Sequence, residues 1–95
     1  MSGIRKYKQD LISFLSAITD AKMMQDFLRD LLTPTEFEEI AKRLQIVQRL
    51  DNGESQRRIA KDLGTGIATV TRGSKTLKKP RSKFRTILRS LREDV

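Results

Sequence analysis

Apolar side chains recur along this chain at helical spacing, and strand-like alternation is almost absent. Tyr7, Leu11, Phe14, Leu15 and Ile18 make a first stripe. Met23, Met24, Phe27, Leu28 and Leu31 make a second, with Asp20 between them as its N-cap. Thr33-Pro34-Thr35-Glu36 opens a third helix. Thr33 can cap, Pro34 suits a first turn that needs no backbone donor, and Glu36 completes a capping box. Phe37, Ile40, Ala41, Leu44, Val47 and Leu50 then line one face until Asn52-Gly53 ends the helix. Beyond Pro80, Ser82 opens a last helix with Phe84, Ile87, Leu88 and Leu91 on one face and arginine and lysine on the other. Each stripe reads as core, and the pattern predicts an all-α chain.

The stretch from Ser55 to Leu77 has a different character. Ser55 caps a short helix, Gln56 to Leu63, buried through Ile59, Ala60 and Leu63. Gly64-Thr65-Gly66 makes a turn, with Gly64 free to adopt the left-handed backbone a tight turn requires. A second helix starts at Ile67, and Val70 seats it on the first. The unit, spanning about residues 56–78, is a helix-turn-helix. Thr69, Thr71 and Lys75 are expected to point outward, and such a helix presents its first turns to the major groove. One turn beyond Val70, where a large anchor belongs, the sequence has Gly73, at a cost of about 1 kcal/mol of helix propensity relative to alanine. Two explanations stand side by side. Gly73 either permits a kink or close helix crossing, or leaves a gap for a small molecule, with Arg72 and Thr76 beside it. On the second, Gly73→Leu would fill the gap and leave the fold intact or more stable.

Length and charge narrow the function. Ninety-five residues suit a single domain, here residues 1–95, with a thin core that pairing with a second copy would reinforce. With no cysteine and no histidine, disulfides, Cys/His metal sites and His-based nucleophilic catalysis are excluded. Glu36, Glu38 and Glu39 cluster at a helix start, where capping accounts for them, so no enzymatic site emerges. No leader or apolar run near 20 residues is present, and the expected location is the cytoplasm. The net charge of +8 is uneven: residues 1–62 carry 11 basic and 10 acidic side chains, whereas residues 63–92 carry nine basic and none acidic. Such a run points to a polyanion, with nucleic acid favoured over a membrane surface.

Leu32-Thr33-Pro34, Arg43 with Ile46-Val47, Ser55-Gln56-Arg57 and the string Gly66-Ile-Ala-Thr-Val-Thr-Arg-Gly-Ser74, followed by Leu77-Lys78, resemble the tryptophan repressor family. The resemblance is densest from about Leu31 to Lys79. It implies a six-helix, all-α fold forming an intertwined homodimer, with L-tryptophan as corepressor, no other cofactor, and double-stranded operator DNA as target. By resemblance, Arg43 and Arg72 sandwich the indole ring and Arg72 also meets the carboxylate. Gly73 gives the ring room, Val47 lines the pocket, and Thr76 stands near the amino group. Leu32 and Thr33 of the partner subunit lie by the amino and carboxylate groups. Gln56 and Arg57 begin the first motif helix, Ile67, Ala68, Thr69 and Thr71 face the groove, and Lys75 and Lys78 approach phosphates.

The sequence departs from the family at several points. The loop Asp51-Asn52-Gly53-Glu54 is one residue short, Asp30 replaces a leucine beside the pocket, the N-terminal arm is short, and the last helix is unusually basic. The function implied is a tryptophan-dependent repressor of tryptophan biosynthesis or transport genes. A ligand-independent regulator of the same fold and a nonspecific nucleic-acid-binding protein are the alternatives.

Overall fold

The computed structural model describes residues 2–93. Six helices follow one another with no strand among the described residues: α1 (Ser2–Ala17), α2 (Ala21–Leu31), α3 (Pro34–Asp51), α4 (Gln56–Leu63), α5 (Ile67–Lys78) and α6 (Phe84–Glu93). The chain divides into two compact units, Met1–Phe37 and Glu38–Val95.

In the first unit, local signals place the helix ends. The Asp20 carboxylate accepts the Met23 amide at 2.9 Å and starts α2. Thr33 and Glu36 form the expected capping box: Glu36 Oε1 accepts the Thr33 amide at 2.8 Å, and Thr33 Oγ1 accepts the Glu36 amide at 3.1 Å. The bond from the Thr33 backbone, helped by the Thr33 side chain, holds the Glu36 carboxyl below its usual range. The rings of Phe14 and Phe27 stack, 6.4 Å apart and 5° from parallel. No residue of α2 is buried, and Ile4, Tyr7, Phe14 and Met23 are each more than half exposed. One copy of this unit therefore has apolar stripes but no core of its own.

The second unit has a small core. Ile46 of α3, Ile59 of α4 and Val70 of α5 are 2%, 0% and 0% exposed, with Leu50, Ala60 and Leu63 packed around them. Each such side chain contributes about 1.5–3 kcal/mol through burial. The Ser55 hydroxyl caps α4 by accepting the Arg58 amide at 3.2 Å. Gly64 closes that helix in the left-handed region, at φ 62° and ψ 38°. Gly53, at φ 87°, does the same beyond α3. In α6, which begins two residues after Ser82, Leu88 is buried while Ile87 and Leu91 are more than half exposed. Among the described residues, no helix is long and apolar enough to cross a membrane.

Candidate functional site

With 3.6 residues per turn, α5 presents three sectors. Val70 and Gly73 are buried. Thr69, Arg72 and Thr76, together with Gly73, line a cavity of about 780 Å³. Ile67, Thr71, Lys75 and Lys78, spaced at i, i+4, i+8 and i+11, form the remaining stripe, with Ala68 beside it. Helical geometry thus separates the groove-facing residues expected from sequence. Thr69 stands on the cavity side, whereas Ile67, Ala68, Lys75 and Lys78 are exposed on the other. Thr71 is only half-exposed. Its hydroxyl lies 2.8 Å from Gln56 Oε1 and 2.9 Å from the Ile67 carbonyl, so its single proton has two acceptors within reach. Gln56 is half-buried in this contact and ties the start of α4 to α5, while Arg57 is exposed.

The opposite cavity wall comes from α3. Glu39, Lys42, Arg43 and Ile46 lie at i, i+3, i+4 and i+7, so one face of the helix delivers all four. Thr65 of the turn and Phe84 at the start of α6 complete the wall. Arg43 and Arg72, expected to flank a ring, line one cavity from two different helices. Among the described residues, none of Glu39, Lys42, Arg43 and Arg72 belongs to an ion pair. The wall therefore carries three cations and one carboxylate without internal partners. The volume falls within the range of small-molecule sites, about 300–1,000 Å³.

Val47 is 1% exposed and buried, and Ile46, one residue earlier, lines the cavity wall. A step of one residue rotates a side chain by about 100° around a helix, which suffices to move it off the wall. Gly73 also serves the crossing of α3 and α5. A Cβ there would lie 2.7 Å from Ile46 Cγ2 and 3.5 Å from Leu50 Cδ1. Gly73 thus permits the close helix crossing and also lines the cavity, and a leucine at 73 cannot be accommodated without strain.

Leu32 and Thr33, in the first unit, are accounted for locally. The Leu32 amide caps α2 by donating to the Leu28 carbonyl, and Thr33 belongs to the capping box. Capping, expected of Glu36, Glu38 and Glu39 together, is the work of Glu36 alone, and Glu39 goes to the cavity wall instead. The i−4 spacing from Arg43 is the sequence signal for Glu39, and i+3 that for Ile46. Phe84 has none, because only the fold brings α6 to the cavity.

Ion pairs brace the motif. Arg49 of α3 holds Glu54 at 2.7 Å and Asp62 of α4 at 2.6 Å. Its bonds to Glu54 and then to Asp62 raise the guanidinium pKa further, and they hold both carboxyls below their ordinary values. At the end of α3, the Asp51 side chain is 1% exposed and meets Arg85 at 2.7 Å, Arg89 at 3.4 Å and Arg92 at 3.3 Å. Burial opposes charge on Asp51. The hydrogen bond from Arg85 and the charge of Arg89 outweigh it, and the carboxyl stays below the usual range. Among the described residues, no cluster of metal-ligating side chains occurs.

Comparison with known proteins agrees with this architecture. The sequence model of the family described as "Trp repressor protein" matches residues 7–92. The Trp operon repressor homolog of Vibrio parahaemolyticus is 38% identical over 88 residues, covering 92% of this chain and 85% of that one. The homolog of Vibrio campbellii is 38% identical over 95 residues, covering 93% and 95%. That of Vibrio vulnificus is 42% identical over 71 residues, covering 74% and 70%.

Proposed function

Because the chain belongs to the Trp repressor family of DNA-binding transcriptional regulators, we propose that it is a tryptophan-dependent repressor acting on operator DNA of tryptophan biosynthesis or transport genes. One observation carries the reading: the cavity and the outward DNA stripe occupy two sectors of the same helix, α5. A ligand wedged between α3 and α5 acts on the helix that enters the groove. The docking of that helix in the major groove comes with the family.

In this reading L-tryptophan places its ring between Arg43 and Arg72 and against Gly73 and Ile46. Its carboxylate meets Arg72, and the Thr76 hydroxyl lies near its amino group. Leu32 and Thr33 of the partner subunit close the site, and the exposed apolar stripes of α1 and α2 find their cover in an intertwined homodimer. On the DNA, Gln56, Arg57, Ile67, Ala68 and Thr71 contribute at the groove, with Lys75 and Lys78 at phosphates. Thr69 serves the ligand side. The protein works in the cytoplasm, where both ligands occur.

Isothermal titration with L-tryptophan, paired with fluorescence anisotropy of an operator duplex at fixed salt, tests the reading. Saturable tryptophan binding that tightens operator binding is expected, and by linkage DNA must tighten tryptophan binding equally. DNA binding of unchanged strength with and without tryptophan would leave a ligand-independent regulator. Equal affinity for all duplexes would leave a nonspecific binder.

A further inference from the structure

We propose that Glu39 recognises the ammonium group of the ligand, so that the cavity selects a zwitterionic amino acid over a plain carboxylate. The inference deepens the tryptophan reading and rests on it. Among the described residues, Glu39 is the only carboxylate on the cavity wall, beside three cations, Lys42, Arg43 and Arg72. A wall of cations alone would favour any organic anion, and most of all one without an ammonium group to be repelled. A single carboxylate reverses that preference, because it rewards a positive group placed next to the bound negative one.

The helix supplies suitable spacing. Ile46, Arg43 and Glu39 follow one face of α3 in steps of three and four residues, about 4.5 and 6 Å along the axis. The face therefore passes from the apolar floor at Ile46, past Arg43 beside the ring, to Glu39, so that the carboxylate lies one turn beyond the ring's flank, within reach of the amino-acid end of the ligand. Glu39 could satisfy itself with Lys42 or Arg43, three and four residues away. Among the described residues it makes neither pair, nor any side-chain hydrogen bond that caps α3, a task done by Glu36. Its charge is uncommitted and faces the cavity.

The test uses the full chain and two ligands that differ only in the amine: L-tryptophan and 3-(indol-3-yl)propionate. Titration calorimetry compares wild type, Glu39→Gln, and Glu38→Gln as a neighbouring exposed carboxylate off the cavity wall. Glu39→Gln is expected to weaken L-tryptophan about five- to tenfold, the low end for a charge-assisted bond at a partly open site. It should leave indolepropionate unchanged or tighter, and Glu38→Gln should alter neither. Equal weakening of both ligands by Glu39→Gln, or no effect on either, overturns the role of Glu39 while the tryptophan reading stands. A wild type that binds neither ligand overturns both together.

Discussion

Replacing Gly73 by alanine isolates what the missing side chain does for the fold. The new Cβ would lie 2.7 Å from Ile46 Cγ2, against an optimum of about 3.5–4.0 Å between carbons. Roughly 1 Å of separation must come from somewhere. Ile46 is 2% exposed and branched at Cβ, so it cannot rotate away cheaply. The helices must part or strain, at about 1–3 kcal/mol for overpacking. Against this, alanine gains about 1 kcal/mol of helix propensity over glycine. Packing wins, and Gly73→Ala should destabilise by about 1 kcal/mol, read as a lower urea midpoint at fixed protomer concentration. Ile46→Leu supplies the control. Leucine keeps the volume but has one γ carbon instead of two, at a cost below about 1.5 kcal/mol. In that background Gly73→Ala should become neutral or stabilising, a coupling of about 1–2 kcal/mol. Were Gly73→Ala to stabilise the protein with Ile46 intact, the glycine would not serve the crossing and the reasoning would fail. Gly73→Leu brings the same Cβ and three more carbons, so it should lose both stability and ligand.

Arg72→Ala should abolish tryptophan binding in calorimetry while leaving the urea midpoint nearly unchanged, since Arg72 is exposed and makes no ion pair among the described residues. Lys78→Gln should flatten the salt slope of DNA binding by about one unit for each phosphate it no longer neutralises, whereas Arg89→Gln, a residue engaged with Asp51, should leave the slope unchanged. Asp51→Asn should destabilise by about 1–3 kcal/mol at neutral pH by removing the negative charge shared by three arginines and one of its two acceptor oxygens. The folded carboxyl titrates below its unfolded value near 4, so its contribution is complete above about pH 4 and is lost as pH falls through the folded pKa. Denaturation of wild type and variant should therefore converge only below pH 4, and a constant difference through that range would disprove the linkage.

The elements were legible where one local signal sufficed. Asp20, Thr33 with Glu36, Ser55 and Gly64 each act within a few residues of themselves, and each caps or turns the chain as its type dictates. The stripes named the buried anchors Ile59 and Val70 for the same reason. Legibility ended where two distant segments meet. Nothing near Val47 shows that Ile46, its neighbour, turns toward Gly73. Nothing near Thr69 shows that the cavity lies on its side of α5. The arginines at 85, 89 and 92 are spaced as one helical stripe, but their convergence on Asp51 needs α6 folded back toward the end of α3.

That convergence changes what the basic run means. Of the nine cations between residues 63 and 92, Arg85, Arg89 and Arg92 share the buried Asp51 and Arg72 lines the cavity, which leaves five: Lys75, Lys78, Lys79, Arg81 and Lys83. These lie on the outward side of α5 and in the segment just after it. Ion pairs also hold the loop between α3 and α4 at both ends. Asp51 is held from α6, and Glu54 is held by Arg49, which also grips Asp62 of α4. Arg92 donates to Asn52 Oδ1 at 3.0 Å between them. A loop fixed at both ends cannot act as a free hinge between α3 and α4. The arginines of α6 thus brace the end of α3, whereas the lysines of α5 and of the segment beyond it belong to no ion pair among the described residues.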